Sequence, residues 1–360
     1  MEPAEFWWLH VSGPARMLNE AVEASWRHRV LLIEEPPCFP DFRNLFIDRL
    51  LQEDGTLNVY DDAVPGWEDP GEWLLRASGR EMDYHPLDGS PAEVLAKRNW
   101  LAGRVYVVND VHEHTTWVNF AVEYARHGTP DNGLMVLVFR GENPLQGVRR
   151  GVAVFRLADY LTAYDMQWFA AYCASRTASG LVRDYYAQLL ARIAGPDPEL
   201  CAKLAEACAQ GNPLDALEAS ADEHSELQRL ADDPKRLESI VWEAQLQIVF
   251  PLLERLRRRF IDAYREGLQQ LLPKRDDYGN LLRKPEDMEL RHLMHDYFNN
   301  KELLAQVGGP HGMFRSAEDL RVFGLIYKAR NRIAHMKTLN HADVLELLEL
   351  DAYEPTRGRD

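Results

Sequence analysis

Short apolar runs bounded by charged or polar residues constrain this chain most. "FWWLHV" (6–11), "RVLLIE" (29–34), "TLNVYD" (56–61), "RVYVVND" (104–110) and "GLMVLVFR" (133–140) are too short for helices and read as strands buried on both faces. Amphipathic stretches such as "ARMLNEAVEASW" (15–26) and "TTWVNFAVEYARHG" (115–128) lie between several of them. That alternation predicts a mostly parallel sheet covered by helices, with ligands at the C-terminal ends of the strands. The segment 62–91, rich in Pro, Gly and Asp, reads as a long loop.

From about residue 157 the strand signals stop. "LADYLTAYDMQWFAAYCASR", "GLVRDYYAQLLARIAG" and "PELCAKLAEACAQG" have helical apolar spacing with Gly or Pro at their ends, and the polar stretch 220–236 reads as a linker or exposed helix. Beyond it, 236–272 reads as one long helix kinked at Pro251, which removes a backbone donor, followed by helices at about 286–306, 316–335 and 340–350. Ser316 and Asp319 look like a capping box opening the second of these. The expected division is an α/β domain (1–156), a helical middle region and linker (157–235) and a helical bundle (236–360).

Charge supports the last boundary. The chain carries 41 Lys and Arg against 57 Asp and Glu, a net −16. Residues 236–360 hold 20 of each sign, which leaves 21 basic and 37 acidic groups in 1–235 (41 − 20 and 57 − 20), so all the excess acidity precedes the bundle. An acidic chain argues against phosphate binding as a whole but not at a neutral bundle with local basic clusters such as "ERLRRRF" (254–260). No window approaches the ~20 apolar residues of a membrane span. The N-terminus "MEPAEFWWLHVSG" has acids before its short apolar run, unlike a secretion signal, so a cytoplasmic location is expected. Cys38, Cys173, Cys201 and Cys208 form no C-x-x-C pair, and neither a zinc ribbon nor a disulfide framework is expected.

Three stretches can carry chemistry. "HVSGPARMLNEA" (10–21) sits where a phosphate-binding loop would follow the first strand, and "VYVVND" (105–110) where a Walker B strand would lie. In position and rhythm the first 150 or so residues resemble a degenerate P-loop, STAND-like ATPase domain of bacterial defence proteins. Gly13 stands there without the Gly-Lys-Ser/Thr that phosphates and Mg²⁺ need, so no nucleotide cofactor is expected. In "NDVHEH" (109–114), Asp110, His112, Glu113 and His114 crowd a strand end and can bind a metal or simply cap a helix. No distant ligand is identifiable, so no metal is expected.

The third stretch is "ARNRIAHMKTLN" (329–340). Asn331 and His335, four apart, share a helical face, whereas Arg330 lies about 140° round from His335. Cations at a helix end also complement its dipole, and Arg332 and Lys337 fit that ordinary role. Arg330-Asn331-x-x-x-His335 resembles the Arg-polar-x-x-x-His signature of HEPN domains, and the resemblance extends over about 237–350. It implies a metal-independent endoribonuclease with Arg330, Asn331 and His335 as catalytic residues. It further implies a homodimer that pairs two motifs, RNA as substrate, and a toxin or effector role in antiphage defence. Other proteins of such a system would dock on the N-terminal domain. HEPN domains also serve as scaffolds, which leaves a non-catalytic subunit of a defence complex as the alternative.

Overall fold

The computed structural model describes residues 1–36, 38–39, 41–61, 68–109, 111, 115–145, 147, 149–209, 211–215 and 224–357. Asp110, His112, Glu113 and His114 lie outside them. The chain divides into two compact units, Met1–Phe169 with Pro196–Glu199, and Ala170–Gly195 with Leu200–Asp360. Residues 157–235, expected as a separate middle region, fall partly in each. Among the described residues, no helix is long and apolar enough to cross a membrane.

The first unit is built on five parallel strands: β1 (Val30–Glu34), β2 (Asn58–Tyr60), β3 (Arg104–Val108), β4 (Leu134–Phe139) and β5 (Val152–Phe155), in the order β2-β3-β4-β1-β5. Strand side chains alternate between faces. Leu32, Tyr106, Val108 and Leu137 share one core with Leu74, Leu95 and Trp117 from helices Pro70–Ala77, Pro91–Lys97 and Thr115–His127. Ile33, Val107 and Val136 face a crevice shared with Phe42 and Phe46 of helix Phe42–Glu53.

Four expected strands are present, and the first is not. Residues 6–11 fall mostly within a helix, Pro3–His10. Trp7 and Trp8 are both fully buried, Trp7 edge-on to Phe169 at 5.1 Å and Trp8 edge-on to Phe42 at 5.0 Å. Burial of two adjacent residues imitates a strand covered on both faces, although here a helix is covered on two sides. β5, a four-residue run, was not expected. The supposed loop 62–91 contains helix Pro70–Ala77, opened by Asp69 accepting the Glu72 N–H at 3.0 Å.

These differences relocate the supposed phosphate loop. Gly13 belongs to helix Ser12–Arg27, its N–H donates to Asp165 Oδ1 at 2.9 Å, and a Cβ there would sit 2.6 Å from the Tyr160 carbonyl oxygen. It is a close-packing glycine. The sequence that follows the first true strand reads "EPPCFPD" (35–41), without a glycine or lysine.

In the second unit, helix Pro234–Ala263 is the spine, packed against Gly180–Ala194, Ala317–Ala334 and His341–Glu349. The expected helix 236–272 breaks at Tyr264 and resumes as Arg265–Gln269. An antiparallel hairpin, Lys274–Arg275 with Leu281–Leu282, follows. The expected helix 286–306 is also divided: Leu290–His292 runs into a π-helical turn, Leu293–Phe298, and Lys301–Val307 is separately capped by Asn300. Phe298 stacks on Phe314 at 4.0 Å and meets Phe260, Tyr264 and Phe323, forming an aromatic core.

Ser316 accepts the Asp319 N–H at 3.0 Å as expected, but Asp319 does not reciprocate. Its buried carboxylate accepts the hydroxyls of Tyr264 and Tyr353, each at 2.6 Å, and the Thr356 N–H at 3.1 Å. All four cysteines are buried thiols outside any disulfide.

Candidate functional site

The motif lies at the C-terminal end of helix Ala317–Ala334. Val322, Phe323, Ile326, Ala329 and Ile333 recur at helical spacing and are buried. His335 is the capping residue, and Met336 follows in the left-handed region with φ 56°. The Lys337 N–H returns to the Arg332 carbonyl at 2.9 Å and the Met336 N–H to that of Ile333 at 3.1 Å, a Schellman closure in which glycine usually takes the left-handed place. Met336 is 70% exposed, so side-chain packing does not account for a methionine there. A non-glycine residue in that conformation costs about 1–2 kcal/mol.

Neighbouring side chains serve the carbonyls of this end. Arg332 folds forward, its Nε and Nη2 donating to the Thr338 carbonyl at 3.0 and 2.7 Å. Trp242 Nε1 donates to the Ile333 carbonyl at 2.9 Å. Buried Gln245 clamps Leu339 on both sides, accepting its N–H at 2.7 Å and donating to its carbonyl at 2.9 Å. The His335 side chain is exposed and makes no hydrogen bond among the described residues. Asn331 is half-buried.

Arg330 points elsewhere. Its Nη2 meets Glu289 Oε2 at 3.1 Å in a cleft of about 270 Å³ lined also by Glu254, Arg257, Glu286 and Asp287. The Arg283 N–H that Asp287 accepts holds this carboxyl below its ordinary range, and a backbone hydrogen bond followed by Arg265 does the same for Glu286. Four carboxylates, Glu254, Glu286, Asp287 and Glu289, face two guanidiniums, Arg257 and Arg330, in this cleft. Arg330, within the helix, is thus engaged by Glu289, whereas His335, the capping residue, already leaves helical geometry with φ −99° and ψ 23°.

Several residues at this end were not found from the sequence. Glu289 and Gln245 are distant in sequence and reach the motif only through folding. Tyr327 had a signal: it precedes Asn331 by four and His335 by eight, on the same face. Its hydroxyl lies 3.2 Å from His295 Nε2, on the π-helical turn.

In the first unit, the described residues at the strand ends are carboxylates held in ion pairs. Glu34 pairs with Arg156 at 3.4 Å and Glu35 with Arg140, placing carboxylates where a nucleotide's phosphates would lie. Among the described residues no cluster of three or more His, Cys, Asp or Glu is arranged to hold a metal ion. No protein-family model, curated protein or solved structure matches this chain.

Proposed function

We propose that the second unit is a HEPN-like, metal-independent endoribonuclease. Two copies would pair so that their motifs form one site, in a cytoplasmic effector of bacterial antiphage defence or a toxin system. The observation that carries this reading is the division of labour at the helix end. Arg332 folds forward onto the Thr338 carbonyl of the segment after the helix, a backbone-fixing contact, while the His335 imidazole stays exposed and makes no such contact.

A neutral imidazole nitrogen accepts a proton, so one His335 can take the proton from a ribose 2′-OH. The 2′-oxygen then attacks phosphorus, the bond to the 5′-oxygen breaks, and the second copy's imidazole protonates that leaving oxygen. The products are a 2′,3′-cyclic phosphate and a 5′-hydroxyl. Arg330 neutralises charge developing on the phosphorane, and Asn331 positions the phosphate or the imidazole. DNA lacks the attacking hydroxyl, so the chemistry selects RNA. The degenerate P-loop-like first unit serves as the platform on which other defence-system proteins dock.

A second reading has its own support. The Arg330–Glu289 ion pair ties the motif arginine into the fold and fits a non-catalytic HEPN scaffold. Purified wild type and the Arg330→Ala and His335→Ala variants, incubated with total RNA and tRNA, separate the two. An endoribonuclease loses about 10²–10⁴ in rate in each variant with its thermal unfolding nearly unchanged, and Asn331→Ala loses less. An intact fold with no cleavage by wild type supports the scaffold.

A further inference from the structure

We infer that the hairpin of residues 274–284 and the π-helical turn beside it form a single-stranded RNA subsite feeding the motif; this rests on the endoribonuclease reading. The π turn is the first sign, since such turns are rare and concentrate at functional sites. Here it keeps Leu293, Tyr297 and Phe298 in the core while His295 lines an open cleft of about 350 Å³. That cleft is lined also by Lys274 and Arg291, with Asp276, Asp277 and Asp296 among their neighbours. Lys274 pairs with Asp296 and Arg291 with Asp277, each at 2.7 Å.

Asp276 is used internally to close the turn, accepting the N–H groups of Tyr278 and Asn280 at 2.9 and 2.8 Å. Along the hairpin, Lys274, Arg275, Arg283 and Lys284 outnumber Asp276 and Asp277 by four to two. At its tip Tyr278 is 79% exposed, with the Arg291 guanidinium 5.3 Å from its ring centroid. An exposed aromatic ring beside a guanidinium, on a basic arm, is the combination that stacks an unpaired base and holds its phosphate.

The same segment reaches the motif helix twice, through Glu289 to Arg330 and through His295 to Tyr327. Tyr327 shares the helical face of Asn331, one turn before it, and the helix ends at Ala334 just before His335. A strand whose scissile phosphate lies at His335 would thus continue along this face towards the cleft. Paired RNA does not offer unstacked bases, so single strands are selected.

The test uses the full-length His335→Ala chain, which leaves RNA intact, with a fluorescein-labelled single-stranded oligoribonucleotide and anisotropy as readout. Tyr278→Ala added to that chain should weaken binding roughly 5- to 100-fold, as expected for loss of one stacked base, while Tyr278→Phe retains it. Arg283→Gln with Lys284→Gln should lower the salt dependence of binding. Unchanged affinity in Tyr278→Ala, or equal loss in Tyr278→Phe, overturns the subsite. Wild-type cleavage of the same RNA is measured in parallel. Cleavage with unchanged Tyr278→Ala affinity refutes the subsite alone, whereas absence of cleavage refutes the reading on which it rests.

Discussion

Single residues hold much of this structure, and two of them change roles between sequence and fold. Gly13 looks like the remnant of a phosphate loop, yet its missing side chain lets helix Ser12–Arg27 approach the Tyr160 carbonyl, where a Cβ would be 2.6 Å away. Gly13→Ala should therefore destabilise the first unit by about 1–3 kcal/mol, read as a lower unfolding midpoint in urea. Unchanged stability would mean that the contact relaxes without cost. Asp319 looks like half of a capping box and is instead the buried acceptor for two tyrosines. Burial first, and then the hydrogen bond to Asp319, raises Tyr264 and Tyr353 above the ordinary 10.0. A raised value in the fold means that the neutral hydroxyl is favoured there. The stabilisation is complete below pH 10 and is lost as pH climbs through the folded values. Calorimetric melting should accordingly fall above about pH 10, and fall less steeply there in Tyr353→Phe, which removes one of the two raised hydroxyls. Identical alkaline profiles in wild type and Tyr353→Phe would contradict this.

At the scale of elements, long regular patterns were legible and local exceptions were not. Runs such as "VLLIE" and "LMVLVF" became β1 and β4 because apolar residues on consecutive positions need a cover on both faces. Trp7 and Trp8 satisfied the same pattern inside a helix, which shows that consecutive burial alone does not fix the backbone. The motif helix and its Ser316 start were readable. The Gln245 clamp and the His295–Tyr327 contact join segments far apart in sequence, and no periodicity encodes them. The clamp has a consequence for activity. Gln245→Ala leaves both polar groups of Leu339 without their buried partner, which should cost roughly 2–4 kcal/mol. It should also slow RNA cleavage, although Gln245 is placed to touch no substrate, because the backbone just past His335 loses its anchor. Thermal melts and cleavage rates on the same preparation check this; full activity in a destabilised variant would show that the clamp serves stability alone.

The whole molecule combines an α/β unit whose described strand ends carry paired carboxylates with a helical unit whose motif supplies one histidine, and one imidazole cannot be both base and acid on the same phosphate at once. A complete site on this reading needs two chains. The most direct measurement is the cleavage rate per chain of a defined RNA in EDTA, across protein concentrations spanning the monomer–dimer transition, for wild type and His335→Ala. The expected result is metal-independent cleavage that rises with the dimer fraction and drops at least about 10²-fold in His335→Ala. No cleavage by the wild-type dimer, or an equal rate in His335→Ala, would contradict it.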